Sequence, residues 1–381
     1  MENTWYVAMV WIGLALIASV ISIRTAVSVA LVEIFVGVIG GNYLGLDPNT
    51  PWISFLAGFG AILLTFLAGA EIEPEILRKY AKESIAIGFA SFLLPFLGAM
   101  AYAYYVAGWT PDASKICGIA LSTTSVAVVY AVMVQTGLNQ SELGKIILAA
   151  CFVTDLGTVL ALGVLFANYN IWLVVFAVIT IATLILTPRM AEWFFRTFNG
   201  HVSEPEIKLL FLMLLFLGCL ATRANSEAVL PAYLIGIVLA GTFQKHREMV
   251  RHLRTTTFAL LTPFYFLKAG TIVSVSAIWS GFWLIVILLA VKLLAKFMGV
   301  YPLSTAFRFT HKIGMYTTLL MSTGLTFGSI SALFGYSRGI ITQEQYTILV
   351  TVVIGSAVVP TLIAQWFYET KTGDIQGSWT K

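Results

Sequence analysis

Apolar runs of bilayer-crossing length recur from one end of the chain to the other, and no other feature narrows the fold so far. A helix needs about 20 apolar residues to cross a bilayer, and about thirteen such stretches can be drawn. They lie at 5–23, 27–44, 52–70, 82–107, 115–136, 142–168, 171–188, 207–222, 228–243, 257–275, 278–301, 312–334 and 344–367. Only 10% of the 381 residues are charged and 59% are hydrophobic, whereas a soluble domain carries about a quarter charged. The expectation is an all-α polytopic membrane protein, in which each spanning backbone satisfies its own hydrogen bonds. The first stretch has no basic leader and no small-residue cleavage site, so it is taken as a span and not a signal peptide. Cys117, Cys151 and Cys219 sit in apolar runs without ligand spacing, which indicates packing and neither a disulfide framework nor a zinc site.

An odd number of spans puts the termini on opposite sides, and the basic residues test it. With loops assigned alternately, only Lys115, Arg223 and Arg338 fall on one side. Lys268, Lys292 and Lys296 lie within spans, and every other Lys and Arg falls on the second side. The positive-inside rule makes that side cytoplasmic, with the N-terminus outside and the C-terminus inside. Ala191–Val202 and Gln244–Thr256 mix apolar and basic residues, and are expected to lie along the cytoplasmic membrane surface. Residues 369–381 form a short polar cytoplasmic tail. The net charge of +4 is small, and no nucleic-acid partner is expected.

The chain also repeats itself at an offset of about 200 residues. Phe66-Leu67-Ala68-Gly69-Ala70-Glu71-Ile72 falls opposite Phe266-Leu267-Lys268-Ala269-Gly270-Thr271-Ile272. Leu121-Ser122-Thr123-Thr124 falls opposite Met321-Ser322-Thr323-Gly324, and Glu33–Ile39 opposite Ala232–Val238. Seven spans separate the copies, an odd number, so the second is inverted in the membrane. Two inverted six-helix repeats follow, at 1–168 and 207–368, with 169–206 as a linker helix and amphipathic segment. Such repeats characterise secondary transporters, whose substrate sites lie near the midplane.

The chemistry gathers in four spans. Asp155 is a lone carboxylate within the apolar run that begins near Glu142, and at that depth an ionisable group marks an ion or proton path. The bland alternative is an acid neutralised by a helix partner. Ser122-Thr123-Thr124-Ser125 and Ser322-Thr323-Gly324 occupy corresponding places in spans five and twelve. Clustered hydroxyls and glycine weaken a helix, so two discontinuous helices are expected to cross there. The alternative is that the hydroxyls bond their own carbonyls and permit close packing. Asp155, in the next span, should face the crossing, with Thr154 able to ligate a cation. Its repeat mate is Gly355, so one carboxylate serves one proton or one cation, which makes a one-for-one, electroneutral exchange the simplest stoichiometry. Lys292 and Lys296 share a face of span eleven. Lys296 needs a partner, for which Asp155 is the best candidate, while Lys292 is either an accessory site residue or a charge that snorkels or lines a cavity. Lys268 is a third intramembrane cation without an evident partner. Glu33 sits within span two, in a structural ion pair or an accessory role. Glu71 closes span three, and Arg223 and Glu227 flank an outer loop. His201, His246, His252 and His311 fall in cytoplasmic loops; they form no metal site and are candidates for pH sensing.

At these residues the chain resembles the monovalent cation:proton antiporter superfamily, and within it the cation:proton antiporter-2 branch. The likeness is carried by Phe66 to Glu71, Ser122 to Val126, Thr154-Asp155 and Lys296-Phe297-Met298-Gly299, and it covers essentially the whole chain. It implies that spans five and twelve are crossed discontinuous helices, that Asp155 carries ion and proton, and that Lys296 is its cationic partner. A homodimer in a bacterial inner membrane, working by elevator-like alternating access without a cofactor, is implied too. Relatives place Asp, Asn or Gln before the key Asp where this chain has Thr154, which argues against a two-aspartate electrogenic mode. Lys268 replaces an uncharged residue, and the nucleotide-binding domain of many potassium-efflux relatives is absent. Sodium is therefore favoured over potassium as the exchanged ion. A cation channel and a sodium-coupled organic solute symporter are the rival readings, separated by proton coupling and by solute uptake. An intramembrane enzyme has no Ser/His, paired-Asp or zinc constellation to support it.

Overall fold

The computed structural model describes residues 4–25, 27–70, 74–135, 138, 141–167, 171–198, 201, 203–224 and 228–367, and these are helical almost throughout. In chain order the helices are α1 (Thr4–Thr25), α2 (Val29–Tyr43), α3 (Pro51–Ala70), α4 (Pro74–Lys79), α5 (Ala81–Tyr105), α6 (Pro111–Ser122) and α7 (Val126–Gln135). They continue as α8 (Glu142–Leu165), α9 (Ile171–Phe198), α10 (Pro205–Arg223), α11 (Val229–Lys245), α12 (Arg247–Thr256) and α13 (Thr262–Thr271). The last are α14 (Val275–Ser280), α15 (Phe282–Ala306), α16 (His311–Met321), α17 (Thr326–Ser337) and α18 (Gln343–Phe367).

Nine stretches among the described residues are long and apolar enough to cross a membrane, with α16 and α17 together making one of them. The other four expected spans are shorter or interrupted. Stretches 27–44 and 228–243 are the compact helices α2 and α11, 115–136 is split into α6 and α7, and 257–275 is a π-turn (Thr257–Leu261) leading into α13. Two boundaries differ from expectation. Span 278–301 begins later, because Ser274 caps the short α14 through a bond from the Ala277 N–H (3.3 Å), and the chain restarts at Gly281. The described part of Ala191–Val202 is not a separate surface helix: α9 runs unbroken through Pro188 to Phe198. A helix keeps its other backbone bonds through one proline, so Pro188 does not end it. The second amphipathic segment does form its own helix, α12, which buries Met249 and Leu253. Glu71, Glu227 and the tail at 369–381 lie outside the described residues.

The chain divides into two compact units. The first comprises Met1–Pro48, Glu75–Thr158 and Phe266–Lys381. Within it α5 packs on α6 and on α15, and α17 packs on α6 and α18. Ile87, Val129, Met133, Ile146, Ile147, Cys151, Leu320 and Met321 make part of its apolar core. The second comprises Asn49–Pro74 and Val159–Tyr265, cored by Leu63, Phe66, Phe195, Leu214, Leu239 and Leu253.

The repeat is visible in the packing. In the first unit a Cβ added at Gly37 would fall 2.3 Å from the Leu267 carbonyl oxygen, and one at Gly270 2.1 Å from that of Ile34. In the second unit a Cβ at Gly236 would fall 2.2 Å from the Phe66 carbonyl, and one at Gly69 2.3 Å from that of Tyr233. Gly37 and Ile34 are the repeat mates of Gly236 and Tyr233, so the α2–α13 contact and the α3–α11 contact are two copies of one interface. Gly270 falls opposite Gly69, one residue on from the sequence match. Small residues let helices meet at backbone distance where lipid supplies no hydrophobic drive between them. Gly236→Ala should therefore force α3 and α11 apart and cost about 1–3 kcal/mol in the manner of an overpacked core. Gly58→Ala on α3 meets nothing within 4 Å and should be neutral or stabilising. Thermal melts in detergent compare the two, and equal melting temperatures would refute the backbone contact.

Candidate functional site

Both expected interruptions are present. α6 starts from Thr110, whose hydroxyl accepts the Ala113 N–H (3.3 Å), with Pro111 in its first turn. It stops at Ser122, after which Thr123 is extended (φ −65, ψ 154). α16 stops at Met321, and α17 resumes at Thr326 after Leu325, whose backbone is neither helical nor extended (φ −154, ψ −76). The hydroxyls do bond their own preceding turns: Ser122 to Ile119 O (2.8 Å), Thr123 to Ala120 O (3.1 Å), Ser322 to Thr318 O (2.7 Å) and Thr323 to Leu320 O (2.8 Å). Back-bonding and breakage, posed above as alternatives, occur together: at the first break the hydroxyls take up the Ile119 and Ala120 carbonyls, and at the second they share Thr318 O and Leu320 O with the N–H groups of Ser322 and Thr323. The two breaks also touch. Thr124 Oγ1 donates to Met321 O (2.9 Å), and the Ser125 N–H to Thr323 Oγ1 (3.4 Å).

Asp155 faces this crossing. Cys151, one turn earlier on α8, lies 3.7 Å from the Met321 sulfur at the second break. Asp155 is buried, and its Oδ1 has no hydrogen-bond partner among the described residues. Thr154 docks α8 on α5: its hydroxyl reaches Gly88 O (3.1 Å) and Ala150 O (3.0 Å), which commits its proton and leaves only lone pairs to any ion.

Lys296 comes from the middle of α15 and is also buried. Its ammonium donates to Ser91 Oγ (2.7 Å), Ser122 O (2.9 Å) and Thr124 Oγ1 (2.9 Å). An ammonium has three N–H donors, and all three are used here. The expected direct Lys296–Asp155 ion pair is thus replaced by a clamp on the first break. Asp155 feels the Lys296 charge through space and not through a hydrogen bond. The reason is geometric: the carboxyl end of α6 presents the carbonyl of Ser122, and a cation is favoured at a helix carboxyl end. Lys292, one turn away and fully buried, donates to Ser356 Oγ (2.8 Å) on α18.

The accessory candidates stand apart. Lys268 on α13 answers to Asp47, a partner that sequence did not supply. Glu33 is buried with Oε2 unbonded, and no ion pair holds it among the described residues, which leaves the accessory role of the two alternatives. His252 lies 2.6 Å from Glu204, and His311 2.6 Å from the Tyr301 hydroxyl. Sequence reasoning missed Ser91 and Ser356. For Ser91 the signal was present: Ser84, Gly88 and Ser91 form a small-residue face of α5.

The family profile described as "Sodium/hydrogen exchanger, transmembrane" matches residues 12–370. The chain belongs to the sodium/hydrogen exchanger family. Among relatives, a probable Na(+)/H(+) antiporter 3 of Methanocaldococcus jannaschii is 23% identical, over 97% of this chain and 98% of its own. The Na(+)/H(+)-K(+) antiporter GerN of Bacillus cereus is 22% identical over 95% of each, and an Na(+)/H(+) antiporter of Enterococcus hirae 26% identical over 92% of this chain and 94% of its own. Among solved structures, the sodium proton antiporter MjNhaP1 from Methanocaldococcus jannaschii superposes with a TM-score of 0.72 at 14% identity, covering 94% of this chain and 95% of that one. The sodium/hydrogen exchanger family is a family of transporters, and the likeness in fold to the solved structure extends over nearly the whole all-helical chain.

Proposed function

We propose that this chain exchanges one monovalent cation for one proton across the membrane by alternating access, with Asp155 as the group that each must occupy in turn. The observation that carries this reading is a buried carboxylate with an unbonded oxygen beside two touching helix breaks. Such an oxygen can take a proton or ligate a dehydrated cation, and the freed hydroxyls and carbonyls of the breaks supply further oxygens. Lys296 is engaged in a saturated set of hydrogen bonds and is not the exchanging group in this reading. The site therefore carries the same total charge whether Asp155 holds a proton or a cation, which makes the exchange electroneutral.

Sodium is the favoured ion and potassium the second candidate, in keeping with the ions named for the relatives. The repeats at 1–168 and 207–368, joined by 169–206, form one homodimer subunit in this reading. It sits in a bacterial inner membrane with the N-terminus outside, as the basic-residue asymmetry favours.

Reconstituted protein with an internal pH dye tests this. A sodium gradient should drive proton movement, and a potential clamped with valinomycin should leave the rate unchanged. Ion conductance without proton counterflow would replace this reading with a channel, and a rate that follows the clamped potential would remove the one-for-one ratio.

A further inference from the structure

The two lysines of α15 each serve one break. Lys296 clamps the first, beside Asp155, and Lys292 enters the second. A Cβ added at Gly324, in the second interruption, would fall 2.3 Å from Lys292 Nζ, 2.9 Å from Thr123 Oγ1 and 3.2 Å from Ser356 Oγ. These atoms therefore crowd one small volume, which exists because residue 324 has no side chain. The lining is oxygen-rich. Ser356 Oγ spends its proton on Val353 O (2.8 Å) and Thr123 Oγ1 spends its own on Ala120 O (3.1 Å), so both turn lone pairs elsewhere. Lone pairs without a proton to donate suit a cation. No acid joins them: Lys292 makes no ion pair among the described residues, and Ser356 adjoins Gly355, the repeat mate of Asp155. The second copy of the repeat thus offers hydroxyls where the first offers a carboxylate, and the occupant is an ammonium tied to the chain.

We propose that the Lys292 ammonium is a tethered cation filling the second repeat's counterpart of the Asp155 site, so that only one free cation is bound per cycle. This rests on the antiport reading and extends it to stoichiometry. Lys292 is a positioning residue in this scheme, since it touches neither proton nor transported ion. The vacated seat would accept a small monovalent cation, and an alkylammonium is the closest chemical mimic of what was removed.

The test is methylammonium binding to purified Lys292→Ala and wild-type protein, read by thermal shift in detergent with sodium chloride and choline chloride as controls. The variant should gain a saturable stabilisation by methylammonium at least about tenfold tighter than wild type, or about 1.4 kcal/mol. Choline should be without effect. In proteoliposomes the same variant should show a rate that responds to clamped potential, since the empty seat admits a second ion. No methylammonium effect in a folded Lys292→Ala would overturn the proposal. Should that variant not fold, Gly324→Ala decides: it should lower stability in the wild-type background and be tolerated with Lys292→Met, whereas equal damage in both would overturn the tethered ion. Amine binding needs no transport. Full exchange by Asp155→Asn would therefore remove Asp155 from the antiport reading while the seat at Gly324 stands or falls by its own measurement.

Discussion

Asp155→Asn is expected to abolish cation-driven proton movement while leaving the fold intact. The amide has nearly the shape of the carboxylate, and Oδ1 has no hydrogen bond to lose. What disappears is the negative charge and the ability to take up a proton. At a separation of about 4 Å and an effective dielectric near 20, one unit charge contributes about 4 kcal/mol to holding a monovalent cation. Its removal should weaken apparent cation affinity by roughly a thousandfold. Proton coupling is lost outright, because an amide does not titrate in this range. Removing a buried charge also removes its desolvation cost, so the melting temperature should be unchanged or higher. Proton flux in proteoliposomes across a series of sodium concentrations checks the first part, and a detergent melt the second. Full residual exchange would show that the exchanged ion binds elsewhere.

Lys296→Met is expected to damage stability and transport together. The ammonium holds α5, the end of α6 and the first break in one arrangement through Ser91, Ser122 and Thr124. Methionine fills the space without a donor, taking one bond from each of three oxygens and leaving Asp155 without the positive charge of Lys296. Removing one side of a buried charged network typically costs about 3–5 kcal/mol. That is a large share of the roughly 5–15 kcal/mol by which folded proteins are stable. Lys296→Arg should rescue poorly, since a planar guanidinium does not reproduce three bonds converging on one nitrogen. Pairing Lys296→Met with Asp155→Asn should recover part of the lost stability, because the uncompensated carboxylate is gone. A melt of Lys296→Met indistinguishable from wild type would dismiss the clamp.

Much of this site was legible because membrane sequences leave few ways to place a charge. Asp155, Lys292 and Lys296 stand out against apolar neighbours, and Ser122 to Ser125 with Ser322 to Gly324 announce weak helix at matched positions. The repeat was legible because Gly37, Gly69, Gly236 and Gly270 have to be small. Partner choice was not legible. Pairing Lys296 with Asp155 follows from charge alone, whereas three backbone and hydroxyl oxygens are better aligned with the ammonium. Asp47 lies in a loop, and no periodicity ties it to Lys268. The late start of α15 depends on the Ser274 cap, which local apolarity hides. The continuity of α9 past Pro188 follows from bonds that one proline does not remove.

Composition and pattern by themselves pointed to a helical membrane protein built twice over, with one acid and two broken helices as its candidate functional centre, because lipid penalises every unsatisfied polar group. Only the tertiary structure decided which oxygen meets which ammonium. Those choices depend on distances of a few tenths of an ångström between helices far apart in the chain, where a single missing side chain, as at Gly324, makes room for a charge.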